Sequence, residues 1–155
     1  MTRPAFIIHD LEQARAAAAV AEELGQPILL LTPVDMAAAL GTLWTQELAR
    51  HLRRVFPGAS ILVMFDCGDR AALAHEALRA GAEGVCFTGP ADQTEGLAEV
   101  AAALGRTFLA HRPAALGLAG ISPKRRIAAA KAWISNPEHA RNVDSGGFPE
   151  KSSKH

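Results

Sequence analysis

The stretch "ILVMFDCGDR", residues 61 to 70, changes character in its middle. It opens as an unbroken apolar run, the pattern of a strand buried on both faces of a parallel sheet. Asp66, Cys67 and Gly68 break that run, and "AALAHEALRAG" then carries apolar residues at helical spacing to Gly81. Strand, turn and helix in that order make one βα unit. Upstream, "AFIIH" (5 to 9) reads as a strand, and the next stretch reads as a helix with Asp10 at its N-cap, Gln13 at the capping-box position and Gly25 at its end. "QPILLLT" (26 to 32) is a second strand. "TLWTQELARHLRRVF" (42 to 56) is a second helix with Leu43, Leu48, Leu52 and Val55 facing inward, ended by Pro57-Gly58.

Downstream the unit recurs. "GVCFTG" (84 to 89) is a fourth strand, "ADQTEGLAEVAAALG" a helix, and "RTFLAH" (106 to 111) a fifth strand. The expected fold class is therefore α/β: parallel βα repeats with about five strands and right-handed crossovers, as a half TIM-barrel-like sheet or an open doubly wound one. Past His111 the pattern lapses. "RPAALGLAGI" reads as a loop, Ser122-Pro123 opens a helix over "PKRRIAAAKAWIS", and from Asn136 the chain lacks apolar periodicity. The expected division is a βα domain over 1–112, a linker and helix over 113–135 that packs on the domain or on a partner, and a flexible tail over 136–155.

At 155 residues and 49% hydrophobic, the chain is long enough for one domain with its own core. Sixteen basic residues balance sixteen acidic ones, which provides no general attraction for nucleic acid or an anionic membrane. No secretion-type apolar segment opens the chain and no apolar run reaches spanning length, so the expected compartment is cytoplasmic. The two cysteines, Cys67 and Cys86, lack CxxC spacing and read as reduced thiols.

Three stretches carry a family likeness: "AFIIHDLEQ", "AEELGQPILLL", and "FPGASILVMFDCGDR" followed by "ALRAGAEGVCFTGP". Over about the first 110 residues the chain resembles the N-terminal half of class II, metal-dependent fructose- and tagatose-bisphosphate aldolases. The resemblance implies a (βα) barrel with its chemistry on the rim at the strand ends. It also implies that Asp66 occupies the place of the family's catalytic acid/base, with Gly68 retained. Departures accompany it. Cys67 stands where the family has a metal-binding histidine, Met64 where it has the earlier histidine of the pattern, and Thr88 where it has an aspartate. Ile7, His9 and Asp10 replace asparagines typical of the first turn, and Pro33 a small polar residue after the second strand. About five of the eight units of such a barrel are present, so later ligands and phosphate-binding backbone have no counterpart.

Read without the family, the strand ends collect His9, Asp66, Cys67, Thr88 and His111. Cys67 with His9 and His111 makes a soft donor set that suits zinc or another divalent metal. The alternative is that the histidines lie on exposed turns, Asp66 caps the following helix and Cys67 packs as a small hydrophobe. Near a helix start Cys67 also has the position of a nucleophilic thiol, although Asp66 beside it would raise its pKa. His9, Thr88 and Gly89 are the candidate substrate-binding residues, with Gly89-Pro90 opening a helix whose N–H groups suit a small phosphorylated metabolite. Trp44 and Trp133 read as packing anchors.

Half a barrel exposes an apolar inner face and two strand edges. The C-terminal helix folding over that face, a homodimer formed through it, or reordering of the strands into an open doubly wound sheet would cover it. Ile127, Trp133 and Ile134 supply apolar side chains for the first two, and a homodimer is the expected assembly. The sequence therefore points to a noncatalytic aldolase-like protein that binds a small molecule or a partner. The alternative is a metal-dependent lyase with Asp66 as acid/base and a rebuilt metal site.

Overall fold

Each strand-to-helix unit read from the sequence forms, and the strands join in a single parallel sheet. The structure is a computed structural model describing residues 3 to 136; apart from Asn136, the tail expected at 136–155 lies outside the described residues. In chain order the elements are β1 (Ala5–Ile7), α1 (Leu11–Leu24), β2 (Ile28–Leu31), α2 (Val34–Leu40), α3 (Thr42–Val55), β3 (Ile61–Asp66), α4 (Ala71–Arg79), β4 (Gly84–Cys86), α5 (Ala91–Leu104), β5 (Thr107–Leu109), β6 (Ala115–Gly117), a 3-10 turn (Pro123–Arg125) and α6 (Arg126–Ile134). The strands lie in the order β5-β4-β3-β2-β1-β6, every neighbouring pair parallel. The caps of α1 form as expected: Asp10 accepts a bond from the Gln13 amide at 2.9 Å, and Gly25 closes the helix at φ 63°. The Gln13 side chain accepts in turn from the amide of His9, at 2.8 Å.

The stretch expected as a loop after His111 contains a strand. β6 pairs alongside β1, with Ala5 opposite Ala115 and Ile7 opposite Gly117. That makes β5 and β6 the two outer strands of the sheet, joined only by residues 110 to 114. A flat six-stranded sheet would hold its outer strands about 24 Å apart. From Leu109 to Ala115 a fully extended chain reaches at most about 21 Å, and this one must also return toward the start of the next parallel strand. The sheet is therefore curled.

Packing shows which face lies inside the curl. Ile28, Leu30, Ile61 and Val63 pack with Ala14, Ala17, Val20, Leu48 and Leu52 of α1 and α3. Further along, Phe65, Val85 and Phe87 pack with Ala74, Ala77, Leu78 and Leu97 of α4 and α5. The opposite face buries Ala5, Leu29, Leu31, Met64 and Cys86, with Leu62, Leu109 and Ala115 around them, all from strands or strand ends. Among the described residues helices line one face only, which selects the half-barrel over the doubly wound sheet. The inner face is not the exposed surface anticipated for such a fragment: Ala5, Leu31 and Cys86 are fully buried and Met64 is 1% exposed. Gly84 permits this closeness, because a Cβ there would lie 2.8 Å from the Thr107 carbonyl oxygen and 3.0 Å from the Met64 methyl.

The C-terminal helix α6 packs against α1 on the outer face, not over the inner one. Trp133 anchors it by donating its indole N–H to the Ala5 carbonyl at 2.9 Å, and Ile134 joins the same cluster, whereas Ile127 is exposed. On α3, Leu48 and Leu52 are buried as expected, but Leu43 and Val55 face solvent. No helix among the described residues is long and apolar enough to cross a membrane.

Candidate functional site

Side chains alternate along β3, so Ile61, Val63 and Phe65 point to the helices while Leu62 and Met64 point inward. The next two residues continue the alternation and divide the motif that ends the strand. Asp66 is 2% exposed. Cys67 lies with Phe65, Ala74 and Leu78 in the helix-side cluster.

Asp66 is fully engaged. Its Oδ1 accepts bonds from the Gly68 amide at 3.0 Å and from Arg112 Nη2 at 3.1 Å, and its Oδ2 accepts from Arg112 Nε. This is a two-pronged guanidinium–carboxylate pair, the strongest geometry open to these groups. The Asp66 amide donates to Thr32 Oγ1 at 3.2 Å, which fixes the strand end from β2. Bonding to Asp66 raises the Arg112 pKa further above its ordinary value, and burial opposes that rise. The helix-capping role expected for Asp66 is not seen: Arg70 is the N-cap of α4 and no side chain caps it.

The rim turns are laced to one another. The Cys67 amide donates to the Cys86 carbonyl at 2.8 Å, the Thr88 amide to the Gly68 carbonyl at 2.7 Å, and the Phe87 amide to the Leu109 carbonyl at 2.9 Å. Gly68 makes its turn at φ 57°, in the left-handed region that favours glycine.

The candidate metal set of Cys67, His9 and His111 is not brought together. Among the described residues no three His, Cys, Asp or Glu side chains form a group able to hold a metal ion. Cys67 is buried in the helix layer while His9 and His111 are exposed on the rim. Burial first, and Asp66 second, push the Cys67 thiol up to about 12, whereas a metal ligand or nucleophile must be a thiolate. The donor set therefore does not fit a catalytic divalent metal, and the nucleophilic reading of Cys67 fails for the same reason. Cys86 is core on the inner face, its thiol likewise pushed up to about 12.

The candidate binding residues His9 and Thr88 lie exposed at the ends of β1 and β4, on the same rim as Asp66. Gly89 has a packing reason to be glycine, since a Cβ there would come within 2.4 Å of the Phe87 ring. Arg112 is the residue that sequence reasoning missed. It lies 46 positions from its partner and beside a proline, and only the fold joins them.

No family model and no curated protein matches the chain. Solved structures do. A candidate fructose-1,6-bisphosphate aldolase from Coccidioides immitis matches with a TM-score of 0.60 and 14% identity over 83% of this chain and 52% of its own. The YdjI aldolase from Escherichia coli K12 matches with a TM-score of 0.56 and 14% identity over 84% of this chain and 52% of its own. The chain spans about half the length of both, and at this identity the likeness is one of fold: this is an aldolase-like half-barrel.

Proposed function

We propose that the protein is a noncatalytic, aldolase-like binding module. One observation carries the reading: both oxygens of Asp66, the residue in the position of an acid/base, are held by Arg112. A group that exchanges protons with a substrate needs an oxygen within reach of it. Among the described residues no three donors gather beside it to hold a metal, which supports the same reading. The ligand best suited to this rim is a small phosphorylated metabolite, met by His9, Thr88 and the turn at Gly89. The helix α5 begins there without a side-chain cap, which leaves its first N–H groups to an anion.

The test is an aldol-cleavage assay of pure protein supplied with zinc, cobalt or manganese and with fructose or tagatose bisphosphate. The expected result is no turnover above the protein-free control, together with a rise in melting temperature with the sugar phosphate. Turnover that disappears in Asp66→Asn would overturn the reading and establish the competing one, a metal-dependent lyase with Asp66 as its acid/base.

A further inference from the structure

We infer that residues 110 to 114 form a strap, latched by the Arg112–Asp66 pair, whose release opens the inner face of the half-barrel while the helical layer stays closed. The inference concerns how the fold opens, and it holds or fails independently of whether the protein catalyses a reaction.

The topology gives the strap its place. β5 and β6 are opposite edges of one curled sheet, and these five residues alone carry the chain from one to the other. In doing so they cross the gap that a complete barrel would fill with further strands. Pro113 is buried within this crossing, while His111 is exposed. Arg112 reaches across the gap to Asp66 at the end of β3, near the middle of the sheet, and so ties the crossing to strands it does not adjoin.

The inner face needs that tie. Among the described residues no helix lies over Leu29, Leu31, Met64 and Cys86, and their cluster is completed by Leu109 and Ala115, the two residues that flank the strap. The outer clusters are closed by helices α1, α3, α4, α5 and α6, none of which depends on the strap for its packing partner. The two faces therefore differ in what holds them shut. Parts of a fold with few covering contacts open more readily than the rest. Arg112, whose side chain is 41% exposed, is the accessible half of the latch, and Asp66 is the buried half.

The molecule carries its own reporter of this opening. Its two cysteines lie on opposite faces of the sheet, Cys86 inside and Cys67 under the helices, and both are fully buried.

The experiment is iodoacetamide labelling of the native full-length protein, with each cysteine quantified by peptide mass spectrometry. It is run on wild type, Arg112→Ala, Arg112→Lys and Asp66→Asn, and read on the variants that keep native circular dichroism. Asp66→Asn and Arg112→Lys conserve volume, so the reading does not hang on the harsher change. Labelling of a buried thiol follows the population of its open form, so in both Arg112 variants Cys86 should label at least about tenfold faster than in wild type while Cys67 is unchanged. Asp66→Asn also removes a charge that raises both thiols, and there Cys86 should gain at least about tenfold more than Cys67. Equal acceleration of both thiols would show global loosening, and no acceleration of Cys86 would show that the pair latches nothing. Either result overturns the inference.

Discussion

Gly68 occupies a backbone conformation, φ 57°, that an L side chain adopts at a cost, and a Cβ there would lie 3.0 Å from Val34 Cγ1 on α2. Gly68→Ala should therefore destabilise the protein by about 1 to 2 kcal/mol, measured by urea unfolding, with Gly68→Asn costing less because asparagine tolerates this region. The turn matters because the Gly68 amide also holds Asp66 Oδ1. Removing Arg112 leaves that carboxylate buried and without its counterion. Because Arg112 is itself partly exposed, Arg112→Ala belongs between the surface and buried regimes, at roughly 1 to 3 kcal/mol. The thiols give a pH dependence of known sign. Burial, then Asp66, raises both from 9.0 to about 12, so the unfolded chain gives up protons that the folded chain retains. Their contribution is intact below pH 9 and is lost as pH rises from 9 toward 12. The urea midpoint should fall between about pH 8 and about pH 10.5, and fall less in the Cys67→Ala/Cys86→Ala double variant, where these two titrations are absent.

At the level of elements, β3 and β4 are held at their base by a side chain doing the work of a strand. β4 begins only at Gly84, so the Val63 amide is met by Glu83 Oε1 at 3.0 Å, and Glu83 Oε2 pairs with Arg53 of α3 at 2.5 Å. Glu83→Ala should cost about 1 to 2 kcal/mol by stranding that amide, and Glu83→Gln less, since its amide oxygen can still accept; thermal unfolding of the two variants separates the cases. Such pairings explain what the sequence could disclose. The five strands and their helices were legible because apolar runs and capping residues are local signals, as at Asp10 and Gly25. β6 was not, because three residues in a Gly-, Pro- and Ala-rich stretch carry no period of their own and are a strand only through the backbone of β1. α2 fell between two signals, a short alanine-rich helix directly after Pro33. At the site, Asp66 was placed correctly at a strand end, but its partner was invisible, since an arginine in a loop reads as a solvated charge until the fold closes. Of the readings open to Cys67, packing as a small hydrophobe is the one the fold bears out, because one residue along a strand reverses the direction of the side chain and turns Cys67 to the helices.

On the scale of the whole molecule, the problem is how the described residues, which match about half the length of the aldolase structures, bury both faces of their sheet. The last elements answer it. β6 covers the edge of β1, and α6 seats Trp133 and Ile134 on the cluster that α1 and α3 share with the sheet. Leu116, Leu118 and Ala130 belong to that same cluster, so the residues after the strap are part of the core. A chain cut after residue 114 would keep β1 to β5 and the strap, yet would uncover the β1 ladder and open the α1 face. Exposed strand edges and apolar patches of this kind promote association. The truncated chain should lose its cooperative urea transition, bind the dye ANS, and sediment as aggregate where the full chain does not. A cooperative transition for residues 1 to 114 with a midpoint near that of the full chain would mean that five strands and the latch suffice. β6 and α6 would then be an addition to an already closed half-barrel.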